Sequence, residues 1–144
     1  MYHTLPADLY REILRTGDSL DIPVVGHIPF DVDLKETLAL NQYSLEHVDL
    51  RPISMNIPLA SREEMIGKSK KWMCPTLVVY RNLQRSPDDP STQIQYEQYV
   101  DKATGKFWKY RRRKYDDVFA QKKKMALGIF NHGARIITGT DCLN

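Results

Sequence analysis

The feature that most constrains this chain's fold is a regular alternation between short β-branched apolar runs and longer segments with helical spacing. The runs are IPVVGHI (Ile22–Ile28), YSLEHV (Tyr43–Val48), MCPTLVVY (Met73–Tyr80) and ARIITGTD (Ala134–Asp141). Each is bounded by turn residues and is short and continuous, the pattern of a strand buried on both faces. Between them lie amphipathic stretches. Leu9, Ile13 and Leu14 follow Thr4 and Pro6 at helical spacing, with Gly17 offering a stop. Val32, Leu34 and Leu38 share one side of DVDLKETLALNQ. SREEMIGKSKKW places Ser61 and Glu64 as a capping box. A further helix is predicted from about Asp116 to Asn131, closed by Gly133.

The resulting order is α, β, α, β, α, β, long loop, α, β. Strict alternation implies parallel βα units with right-handed crossovers, hence an α/β fold over a single domain spanning 1–144. A polar excursion, roughly 81–115, reads as a long loop with a small hairpin around Gln93–Tyr110. Composition is that of an ordinary globular chain: 42% hydrophobic, 27% charged and +3 net, which argues against disorder and a nucleic-acid-coating role. No apolar run of about 18 residues predicts a membrane span, and the start lacks the basic and apolar regions of a signal peptide. With only two cysteines there is no disulfide framework. The cytoplasm is the default expectation, compatible with an exported full-length relative.

Each apolar run ends on a polar or special residue as its loop begins. In parallel α/β barrels functional side chains occupy the C-terminal ends of strands, so His27, His47 and Asp141 are the candidate residues. Two imidazoles and a carboxylate suit zinc, iron or manganese with a position left for water. A metal brings that water's pKa towards about 7, and a neighbouring carboxylate can shuttle its proton. The structural alternative stands beside this: a strand-end histidine can be a hydrogen-bonded structural residue, and Asp141 can cap a turn. The twenty-residue separation of His27 and His47 carries no local zinc signature.

Taken in order, PVVGHIP (Pro23–Pro29), SLEH (Ser44–His47), CPTLVVY (Cys74–Tyr80) and GARIITGTD (Gly133–Asp141) resemble the amidohydrolase superfamily of metal-dependent hydrolases, in its prolidase-like and imidazolonepropionase-like branch. In that branch similar segments close barrel strands five, six, seven and eight. The resemblance implies a partial (βα)8 TIM barrel of about four parallel βα units corresponding to strands 5–8. It implies His27 and His47 as metal ligands, Asp141 as both ligand and catalytic proton shuttle, and a divalent metal, zinc first, with one or two ions in the complete enzyme. The implied reaction is hydrolysis of a C–N bond in a small amide, dipeptide-like or cyclic amide substrate through metal-bound hydroxide.

The family's HxH pair of strand one and its strand-four lysine have no counterpart in this sequence. A full barrel needs about 200 residues at least, so the chain reads as the C-terminal half of one, inactive or nearly so alone. The alternative is a non-catalytic half-barrel that serves as an interaction module or needs a complementary half. Exposed barrel edges would favour self-association. KFWKYRRRK (Lys106–Lys114) interleaves basic and aromatic residues, but Asp88, Asp89, Glu97 and Asp101 flank it. No nucleic-acid or membrane partner is expected.

Overall fold

A computed structural model describes residues 1–47, 56–83, 101–103, 106 and 118–141. It contains a parallel four-stranded sheet in the order β1-β2-β3-β4: β1 (Val24–Gly26), β2 (Gln42–Glu46), β3 (Trp72–Cys74) and β4 (Arg135–Ile136). The α/β class and the parallel pairing therefore match the sequence pattern. The sheet is open, with β1 and β4 at its edges. Its helices include α1 (Ala7–Ser19), α2 (Leu34–Ala39), α3 (Leu59–Lys68), α4 (Leu77–Leu83) and α5 (Val118–Asn131).

The chain divides into two compact units. The first comprises Met1–Pro75 and Met125–Gly139, and it holds the whole sheet. Its main core joins Leu34, Leu45, Ile66, Met73, Met125, Ile129 and Ala134, contributed by α2, β2, α3, β3, α5 and the turn into β4. A second cluster sets Tyr10 and Leu14 of α1 against Val32 and the partly buried Val24 and Leu40. Burying such side chains removes apolar area from water at roughly 25 cal/mol per Å². An exposed Arg11–Glu36 ion pair links α1 to α2, and such surface pairs are worth about 0–1 kcal/mol. The second unit comprises Thr76–Lys124 and Thr140–Asn144. Within it the Arg81 guanidinium lies 5.7 Å from the Phe119 ring and the Lys122 ammonium 4.9 Å from the Tyr80 ring, packing α4 on the start of α5.

Several local expectations are corrected. MCPTLVVY is not one strand: β3 ends at Cys74, and Leu77–Leu83 is helical. Pro75 interrupts the ladder, Thr76 takes a left-handed φ of 44°, and the chain then turns into α4. A short apolar run has no period of its own, so length and β-branching were misleading here. Gly17 does not stop α1, which continues to Ser19 and closes when the Ile22 N–H donates to the Gly17 carbonyl at 2.8 Å, with Asp21 at φ 53°. Gly17 instead lets β1 approach the helix, since a Cβ there would overlap Val24. The Ser61/Glu64 capping box is absent, because α3 starts at Leu59, two residues ahead of Ser61, with Pro58 at its N-cap. Gly133 does close α5, at φ 96°: the Ala134 N–H donates to Ile129 and the Gly133 N–H to Phe130, a Schellman arrangement whose apolar contact joins the core. The hairpin expected over Gln93–Tyr110 lies outside the described residues apart from 101–103 and 106, of which Lys102, Ala103 and Lys106 are helical.

Candidate functional site

Parallel pairing puts the C-terminal ends of β1 and β2 side by side, and a histidine follows each. His27 comes directly after β1 and His47 directly after β2. Their ring centroids stand 4.5 Å apart with the planes tilted by 36°. His47 is buried at 6% exposure, and its N–H donates to the Cys74 carbonyl at 2.8 Å, so the end of β3 holds it in the ladder. It does so at a left-handed φ of 66°. A non-glycine residue in that region costs of order 1–3 kcal/mol and is found where the surroundings enforce it, often at functional positions.

A buried polar network underlies the pair. The Tyr10 hydroxyl donates to Gln42 Oε1 at 2.7 Å, and Gln42 Nε2 donates to the carbonyls of Gly26 at 2.7 Å and Ser44 at 2.8 Å. Gly26 precedes His27, so Gln42 ties the last residue of β1 to β2. Tyr10, Gln42 and Ser44 are all essentially inaccessible to solvent, and a satisfied buried network of this kind rigidifies what it joins. Desolvation pushes the Tyr10 phenol up to about 12. Ser44 Oγ in turn donates to Glu46 Oε1 at 2.8 Å, which anchors the carboxylate next to His47.

The N-terminal residues complete the surroundings. The Met1 amine donates to the Val25 carbonyl at 2.7 Å, and the His27 N–H donates to the Met1 carbonyl at 3.1 Å. A Cβ on Gly26, at φ 142°, would overlap the Met1 backbone, so only glycine admits this approach. The arrangement brings His3 to His27, ring centroids 5.4 Å apart. Sequence reasoning passed over His3 because no second histidine stands two residues on. A usable signal existed: His3 and His27 each sit a few residues ahead of a helix, α1 and α2 respectively.

Of the predicted site residues, the structure brings His27 and His47 together. Asp141 belongs to the second unit, where it is exposed with φ 47°. Among the described residues no group of three or more His, Cys, Asp or Glu side chains is arranged to hold a metal ion. Paired imidazoles are nonetheless the donor chemistry of zinc and related ions. The pair fits a metal as part of a ligand shell and not as a whole one.

No protein-family model matches the chain, and no curated protein matches it. A solved structure described as AH, bottromycin amidohydrolase, matches with a TM-score of 0.56 at 25% identity, over 96% of this chain and 36% of that one. This chain thus spans 36% of the neighbour's length. The likeness points to an amidohydrolase-type relative.

Proposed function

We propose that this chain is the strand-five-to-eight part of a metal-dependent amidohydrolase barrel that hydrolyses C–N bonds in small amides or dipeptide-like substrates. The observation that carries the reading is the His27–His47 pair, 4.5 Å apart at the ends of adjacent parallel strands. Likeness to an amidohydrolase along 96% of the chain supports it. In this scheme His27 and His47 present imidazole nitrogens to a divalent ion, zinc first, while Glu46 stays fixed on Ser44. When bound, such an ion supplies a water of lowered pKa and polarises the amide carbonyl. Asp141 is assigned the proton carrier's role on the resemblance of GARIITGTD alone, and its carboxylate would take up a proton and hand it to a leaving nitrogen. The net change adds one water across the C–N bond, the hydroxyl to the carbonyl carbon and the hydrogen to the amine, giving an acid and an amine.

Two ligands make a weak site, so the chain alone is expected to bind zinc loosely and to turn over little or no substrate. Titration calorimetry with zinc is the test: His27→Ala and His47→Ala should each abolish whatever binding the purified chain shows. Binding that survives both substitutions would sink the metal reading. Robust hydrolysis of N-acyl amino acids or Xaa-Pro dipeptides by the chain alone would instead refute the incomplete-site reading. The open sheet favours a second reading, a non-catalytic half-barrel that pairs with a complementary half or a second copy through its edge strands.

A further inference from the structure

Beside the histidine pair stands a row of rings that the proposed reaction does not use. Tyr2 lies 4.2 Å from the His3 ring and 5.0 Å edge-on from His27, and His3 lies 4.6 Å from Phe30. With the 5.4 Å contact from His3 to His27, the row abuts His27 directly. Despite this packing Tyr2 remains 62% exposed and Phe30 38% exposed. Exposed ring surface beside polar strand-end residues gives an apolar group of a ligand something to pack on.

The backbone holds the row in register and does not leave it on a free loop. The Met1 amine is bonded to Val25 at 2.7 Å, the His27 N–H to Met1 at 3.1 Å, and the Phe30 N–H to His3 at 3.0 Å. A surface fixed in this way needs little ordering when a ligand arrives. Rings that present both faces and edges favour another ring, because offset and edge-to-face pairs add to simple burial.

We propose that Tyr2, His3 and Phe30 form a specificity wall that seats an aromatic side chain of the amide substrate beside His27. The assignment rests on the amidohydrolase reading above for its reaction, and on the ring geometry for its selectivity. The chemical class of substrate is an N-acyl amide of an aromatic amino acid.

The test is an NMR titration of the purified full chain with N-acetylphenylalaninamide and N-acetylleucinamide, alongside a zinc titration. The aromatic ligand should shift the ring resonances of Tyr2 and Phe30 and bind on the order of three- to tenfold tighter than the leucine analogue. Phe30→Leu should erase that preference while leaving zinc uptake unchanged. Tyr2→Leu, at the more exposed position, gives a second variant should Phe30→Leu fold poorly. Equal affinity for the two ligands, shifts confined to residues elsewhere, or a preference that survives both variants overturns the wall. Aromatic selectivity with no zinc uptake leaves the wall in place and removes the hydrolase reading. Zinc uptake without selectivity does the reverse.

Discussion

Gln42 makes three side-chain hydrogen bonds at 1% exposure, and through them it links α1, β1 and β2. Gln42→Leu leaves the Tyr10 hydroxyl and the Gly26 carbonyl buried without that partner, a loss of about 1–3 kcal/mol for each group left unsatisfied. Because Gly26 leads into His27, the variant should also weaken zinc uptake beyond what its lower stability explains, which calorimetry on the folded fraction measures. Tyr10 adds a pH dependence. Its phenol is raised from the ordinary 10.0 to about 12 by burial, so its contribution is complete below the lower value and is lost as pH climbs through the upper. Two units of pKa correspond to about 2–3 kcal/mol. Urea unfolding should therefore find Tyr10→Phe less stable than the natural chain near neutral pH, with the gap closing across that alkaline window. A constant gap would contradict the buried network. None of this was legible beforehand: Tyr10 and Gln42 stand thirty-two positions apart, and nothing local ties one to the other.

At the scale of elements, chemistry within a few residues was often readable. Asp33 caps α2, its carboxylate accepting from the Glu36 N–H at 2.7 Å, a local signal that the reading of DVDLKETLALNQ above left unused. Asp33→Ala should cost about 1 kcal/mol and speed amide exchange in the first turn of α2. The end of α5 at Gly133 was equally visible, since a left-handed glycine after an apolar helix is a strong local signal. Ser61 shows the opposite case. Its spacing to Glu64 matched a capping box, yet Pro58, with φ preset near −52°, opened the helix earlier. Pro75 similarly divided one apolar run into a strand and a helix. Gly26 belongs here too, because its requirement comes from the Met1 backbone lying beside β1. Gly26→Ala should cost about 1–3 kcal/mol by overpacking and a further cost for the positive φ. It should also displace the Met1–His3 segment, seen as a loss of the His3–His27 ring contact by NMR.

For the molecule as a whole, the open sheet and the 36% coverage of the neighbour set the expectation. The edge strands β1 and β4 carry the exposed side chains of Val25 and Ile136, and unpaired edges invite further strands. Sedimentation should show a mass that rises with concentration. A single monomeric species up to high concentration would count against pairing through the edges. The chain divides into two compact units, and Asp141 falls in the one that does not hold the histidines. From the amino-acid order alone came the α/β class, the parallel habit of the strands and the placing of His27 and His47 at strand ends, because periodicity and turn chemistry act over a few residues. The order of strands, the 4.5 Å between the two rings, the arrival of His3 and the Gln42 tie were decided only by tertiary structure. Each depends on burial and hydrogen bonding between residues distant in the chain, and local propensity carries no record of which distant partner will be met.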